Sequence, residues 1–168
     1  YDLNSKEAPI FIQSFETWNL KNFSQACDIK LIQLMTKTGG PWDNQSGPII
    51  EYRYLYEEGL SEVAQYAYGI GPEKTIIIPR NQDGYSLPPT DFIEIAHENG
   101  LHVHPWTFRS ENFFLPKELQ IQENGGFKNE DLGNWLEEYS TFLKLGVDGV
   151  FSDFSNHAYY AINEYFSK

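Results

Sequence analysis

Five short apolar runs punctuate this chain: residues 9–15 (PIFIQSF), 29–35 (IKLIQLM), 75–79 (TIIIP), 101–108 (LHVHPWTF) and 147–151 (VDGVF). Helix-like stretches alternate with them, over residues 20–27, 62–68, the segment carried by Phe92, Ile93, Ile95 and Ala96, 130–145 and 157–166. In 130–145 the spacing sets Leu132, Trp135, Leu136, Tyr139 and Leu143 on one side. Strands and helices in alternation, with apolar strands, predict a parallel sheet covered by helices. Five strands fall short of the eight that close a (β/α) barrel.

Punctuation residues give the boundaries. Gly69, Gly71 and Pro72 read as the stop of the 62–68 helix, and Thr90 or Asp91 as the cap of the next, which Asn99 and Gly100 close. Pro105 demotes the far half of its run to a bulge or a strand end. Residues 36–50 and 115–128 read as loops.

Against 12 Lys and Arg stand 24 Asp and Glu, a net charge of −12. That balance disfavours nucleic acid, whose binding needs clustered cations, and attachment to an anionic membrane. No apolar run nears the roughly 20 residues that span a bilayer. At 168 residues the chain suits one domain over 1–168. The single cysteine, Cys27, forms no internal disulfide and excludes a cysteine-based zinc site. The chain opens on Tyr1 rather than Met, as a processed or cut chain does.

In a parallel α/β architecture chemistry gathers at the C-terminal strand ends. There stand Gln13, Ser14 and Phe15; Met35 and Thr36; Pro79 and Arg80; His104, Trp106, Thr107 and Arg109; Ser152 and Asp153. Alternation puts His102, His104 and Trp106 on one strand face, where two histidines serve as metal ligands or proton carriers, or as hydrogen-bonded wall residues. Asp153 is either a site carboxylate or the N-cap of the last helix. Tyr52, Tyr54 and Tyr56 alternate beside the long loop, as a ligand lining or as packing beneath it. Glu57–Glu58 and Glu137–Glu138 read as solvated faces. Walker-type, GxSxG and HExxH motifs are absent.

Four segments then carry a resemblance: Ile12–Gln13–Ser14–Phe15; VAQYAYGIGP at 63–72; LHVHPWTFR at 101–109; and GVDGVFSDF at 146–154. In this order they resemble the glycerophosphodiester phosphodiesterase family, in its extracytoplasmic (periplasmic or extracellular) branch. The resemblance implies an α/β fold, the C-terminal part (about strands four to eight) of a TIM (β/α)8 barrel of the PLC-like phosphodiesterase type. It implies hydrolysis of glycerophosphodiesters to glycerol 3-phosphate and an alcohol, with a divalent metal, calcium or magnesium. A cation offsets the charge of the phosphodiester, and two histidines act as acid and base.

The family's catalytic signature is an early His-Arg-Gly strand, acidic ligands after it, a second histidine in an HD-type motif and a Glu on the third strand. None stands here: the histidines are His97, His102, His104 and His157, and none precedes Arg-Gly. The histidine pair and the metal ligands are therefore expected upstream. This chain is left with the substrate-facing wall: Ser14 and Phe15 on the fourth strand, His104, Trp106 and Arg109 on the seventh, Phe151 and Asp153 on the eighth. Arg109 is the expected phosphate partner and the rings meet the glycerol or the alcohol group. Ser152 and Ser155 replace the family's usual Thr and Pro. A barrel cut after its third strand has two raw edges, at 9–15 and 147–151, which the missing N-terminal half or a symmetry mate would cover. The alternatives are a non-catalytic binding or scaffolding domain built from the same wall, and a two-carboxylate glycosidase drawing on Glu16, Asp43 and Asp153.

Overall fold

The computed structural model describes residues 3–42, 51–122 and 126–167. Four parallel strands stand in chain order: β1 (Phe11–Ser14), β2 (Lys30–Met35), β3 (Gly69–Pro72) and β4 (His102–Val103). The register sets Gln13 beside Ile32, Ile32 beside Gly69 and Gly69 beside His102. Helix α1 (Thr17–Ala26) joins β1 to β2. Helices α2 (Tyr52–Glu57) and α3 (Leu60–Val63) precede β3, and α4 (Lys74–Ile77) and α5 (Phe92–Glu98) follow it. Helices α6 (Trp135–Lys144) and α7 (Ser155–Phe166) end the chain.

Alternation divides the sheet into two faces. Met35, Ile70 and Val103 point outward into the core beneath the helices, with Val63, Ile77, Ala96, Phe108 and Tyr139. Gln33 also lies on that side and is fully buried, its amide donating to the Phe15 carbonyl at 3.0 Å and its oxygen accepting from Tyr66 Oη at 2.9 Å. Ile32, Leu34, Gly69, Gly71, His102 and His104 face inward. Across that inner face Phe11 on β1 meets His104 at 5.0 Å and Phe15 meets Trp106 at 5.5 Å. A flat sheet would hold strands three spacings apart about 14 Å from each other. The wall is therefore curled, as a barrel wall is.

Several boundaries differ from the sequence expectation. Residues 69–72, read as a helix stop, are β3, and the expected strand at 75–79 is largely the single turn α4. A Cβ on Gly69 would lie 2.5 Å from the His102 carbonyl oxygen, and one on Gly71 2.5 Å from Leu34 Cδ2. These glycines permit close strand approach inside the sheet. The TIIIP run is buried as a helical turn instead, because an apolar run alone does not choose between strand and helix. Of the expected 62–68 helix only Glu62 and Val63 are helical, at the end of α3, and α2 adds an unanticipated turn.

The expected strand at 147–151 forms no regular ladder, yet it runs beside the β4 segment. Asp148 N donates to the Val103 carbonyl at 3.0 Å, Phe151 N to Pro105 at 3.0 Å, and Phe108 N to Phe151 at 2.7 Å. Beyond Val103 the β4 run continues only as single bridges, Trp106 to Glu73 and Phe108 to Ser152. Helix α6 begins at Trp135, leaving Leu132 exposed and bridged to Glu111. Thr90 does not cap α5; its hydroxyl donates to the Ile76 carbonyl at 2.9 Å, and Asp91 holds the cap position. Of the two expected loops, residues 43–50 and 123–125 lie outside the described residues.

Candidate functional site

The C-terminal strand ends converge on Trp106. Its indole N–H donates to the Gly71 carbonyl at 2.7 Å, so the ring is held across β3. Phe15 stands edge-on to it, and Tyr52 packs on Phe15 at 6.2 Å while its hydroxyl donates to the Phe15 carbonyl at 3.0 Å. Tyr52, Tyr54 and Tyr56 lie on helix α2, so they do not share the face that strand alternation would give them. Tyr52 braces the mouth, Tyr54 is exposed, and Tyr56 packs on Phe92 at 6.4 Å. A cis peptide joins Trp106 to Thr107.

Arg109 and Asp153 form an ion pair across the loops after the β4 segment and the 147–151 segment. The guanidinium also lies 4.4 Å from the centre of the Phe114 ring. Asp153 is therefore a partner of Arg109 and not the helix cap; the cap position of α7 belongs to Phe154. The neighbouring Ser152 hydroxyl bonds Tyr139 Oη at 2.6 Å and accepts from Phe154 N at 2.9 Å, which sets the turn that presents Asp153.

The two alternating histidines share the inner face, below the mouth. His102 stacks on Tyr68 at 4.1 Å. His104 is buried between Phe11 and Phe151, the latter at 6.2 Å, and a Cβ on Gly149 would come within 2.9 Å of its Nε2. Burial holds the His104 pKa below the usual histidine value; Asp148 opposes the shift and His102 adds to it. A depressed folded pKa means the unfolded chain takes up the proton first on acidification. The stability this neutral ring contributes is complete above the unfolded value of about 6.5 and is lost as pH falls through the folded one. Urea midpoints measured between pH 7.5 and 5 should fall more steeply for the wild type than for His104→Gln. Equal slopes would remove His104 from the acid response.

Other expected residues divide by strand face. Ser14 points to the helix side, where its hydroxyl accepts from Glu16 N at 3.0 Å and Asn19 Nδ2 at 2.9 Å and so organises the start of α1. Phe151 packs edge-on to His104, 6.2 Å away. Arg80, expected at a strand end, donates to the Phe114 carbonyl at 2.8 Å and stands 3.6 Å from Glu138 on the outer rim. Of the glycosidase candidates, Glu16 takes the cap position of α1, Asp153 is committed to Arg109, and Asp43 lies outside the described residues. Among the described residues no group of three His, Cys, Asp or Glu side chains could hold a metal ion.

One mouth residue escaped the sequence reading. Glu73 follows β3 and is bridged to Trp106, so the two backbones lie side by side. Its carboxylate accepts from Thr75 Oγ1 at 2.6 Å and from Lys37 N at 3.2 Å. Reading Gly-Ile-Gly-Pro as a strand would have placed it at a strand end.

Comparisons with known proteins agree with this geometry. Residues 2–157 match the model of the Glycerophosphoryl diester phosphodiesterase family. The glycerophosphodiester phosphodiesterase GDPD6 of Arabidopsis thaliana is 35% identical over 150 residues, which cover 88% of this chain and 36% of that protein. GDPDL3 of the same plant is 27% identical over 66% of this chain and 15% of its own length. A solved structure from Silicibacter pomeroyi, assigned as a glycerophosphoryl diester phosphodiesterase, superposes with a TM-score of 0.50 at 18% identity. It covers 92% of this chain and 38% of its own. The chain thus spans little more than a third of these relatives at most, and the structural likeness concerns the fold.

Proposed function

Because this chain belongs to the glycerophosphoryl diester phosphodiesterase family, we propose that it forms the later part, about strands four to eight, of a (β/α)8 barrel. That barrel hydrolyses glycerophosphodiesters to glycerol 3-phosphate and an alcohol. The observation that carries this reading is the curled parallel wall with strands in chain order, its strand ends converging on Trp106 and its outer lanes at β1 and at residues 147–153. Preceding strands would continue the sheet at those lanes and satisfy its edge groups. Exposed rings on the flanking helices, Phe23 on α1 and Tyr159 and Phe166 on α7, fit the same completion.

Within this division of labour the chain binds and orients substrate. Trp106 and Phe15 give the organic groups an apolar wall. Arg109 is the phosphate partner: a guanidinium has five donors, and its pairing with Asp153 aims the fork while leaving donors for an anion. Acid–base histidines and the ligands of a divalent cation, calcium or magnesium, belong to the preceding strands, and no step assigned to this chain runs through that cation.

The test is glycerol 3-phosphate release from glycerophosphocholine by the 168-residue chain, shown folded by circular dichroism, and by a longer chain carrying a preceding His-Arg-Gly strand. We expect no turnover from the first and chelator-sensitive turnover from the second. Chelator-sensitive turnover by the 168-residue chain itself would overturn the division.

A further inference from the structure

We propose that Arg80, acting through Phe114, is the positioning residue for Arg109. The proposal rests on the phosphodiesterase reading above, in which Arg109 meets the phosphate, and extends it to what aims that guanidinium.

The ion pair alone fixes Arg109 poorly. Its side chain is 38% exposed and that of Asp153 44%. Water screens such a pair, and its attraction is largely spent on ordering the two side chains. The second hold is a ring: the guanidinium carbon lies over Phe114, 4.4 Å from the ring centre, where a planar cation is attracted to the aromatic face. Asp153 draws the fork to one side and the half-buried Phe114 ring supports it from another. Together the two contacts restrict the guanidinium more than either does.

Phe114 is itself held from the outer rim. It closes the single turn Asn112–Phe114, and its N–H donates to the Glu111 carbonyl at 3.0 Å. The last carbonyl of a helical turn has no acceptor role within that turn. Arg80 Nη2 donates to it at 2.8 Å. Arg80 belongs to a tight hairpin, in which Asn81 N donates to Tyr85 at 2.9 Å and Leu87 N to Pro79 at 2.8 Å. Its guanidinium also stands 3.6 Å from Glu138 on α6. The segment that follows Phe114 is attached to the same hairpin without Arg80's side chain. Lys117 N donates to Gly84 at 3.0 Å, and the Glu118 carboxylate accepts from Ser86 N at 3.2 Å. What the Arg80 side chain adds to these bonds is a hold on the Phe114 backbone, and with it on the ring beneath Arg109. Contacts thus run from Glu138 through Arg80, Phe114 and Arg109 to Asp153, from the rim to the mouth.

The experiment separates positioning from folding. The chain has three arginines, Arg53, Arg80 and Arg109, and so three arginine Nε–H resonances. In the 15N-labelled chain the Phe114 ring current should shift the Arg109 signal upfield, and its loss in Arg109→Lys identifies it. Phe114→Leu is expected to remove that shift, and Arg80→Met to remove at least half of it. Arg80→Lys, which keeps a donor and the charge beside Glu138, should restore part. In the longer chain that carries the preceding strands, Arg80→Met should raise KM for glycerophosphocholine about fivefold and leave kcat within twofold. In the Phe114→Leu background the same substitution should have no further effect on KM, because both act through one contact. An unchanged Arg109 resonance in Arg80→Met overturns the proposal whatever the longer chain hydrolyses. So does an equal rise in KM from Arg80→Met with and without Phe114→Leu, the result expected of a residue that only supports the fold. Absence of turnover in the longer chain would end the phosphodiesterase reading, and the resonance would still judge whether Arg80 positions Arg109.

Discussion

Lys74→Met is expected to lower the folding free energy by about 3–5 kcal/mol, and Lys74→Met with Glu138→Leu to bring it back to the wild-type level or above. Lys74 Nζ donates to both Glu138 oxygens, at 2.7 and 2.9 Å, with side chains only 9% and 5% exposed. The ammonium also lies 4.8 Å from the Phe108 ring centre. Burial pushes the Lys74 pKa down and that of Glu138 up, with their mutual attraction opposing both shifts. Desolvation thus outweighs attraction, the condition under which removing both charges is tolerated and removing one is not. After the single substitution Glu138 retains only Arg80, at 3.6 Å, across a rim open to solvent. Urea unfolding of the four chains of a double-mutant cycle gives the answer. A loss below about 1 kcal/mol in Lys74→Met would mean that solvent reaches the pair.

Gly69→Ala should cost about 3 kcal/mol, at the upper end of overpacking effects, and lower Tm by roughly 10 °C. The new methyl would sit 2.5 Å from the His102 carbonyl oxygen and 3.1 Å from the His102 carbonyl carbon and Cβ. The obstacle is backbone, so relief requires β3 and β4 to part at the Gly69–His102 pair, which disturbs the Tyr68–His102 stack. Gly100→Ala is the control. Its φ of 75° favours glycine, but nothing lies within 4 Å of an added Cβ, so only the backbone cost of about 1 kcal/mol applies. Differential scanning calorimetry of both variants checks the ranking. Equal losses would show that crowding at Gly69 is relaxed without cost.

Which residues stand at the strand ends depends on where each strand starts and stops. Phe15 is legible because its apolar run ends on it, and Trp106 because it stands in the far half of the 101–108 run, past β4. Position alone puts Ser14 in the wall, yet alternation turns it toward α1, where Asn19 and Glu16 use it. Glu73 was missed for one reason: a strand at 75–79 leaves no strand end at residue 73. The pairing of Arg109 with Asp153 joins loops 44 residues apart, and no local pattern marks it.

By itself the sequence determined what local patterns control: apolar runs for β1 and β2, helical spacing for α1, α5, α6 and α7, and hence a parallel sheet under helices. It also carried, in motifs such as LHVHPWTFR, the family to which the chain belongs. Tertiary structure alone decided what Gly69 and Gly71 mean. A glycine stops a helix or admits a neighbouring strand according to what stands beside it, and the His102 carbonyl and the Leu34 side chain stand there only once the sheet has assembled. The same assembly set Glu73 beside Trp106 and closed Lys74 onto Glu138. Contacts between residues far apart in the chain are set by the curvature of the wall, and that curvature is a property of all the strands together.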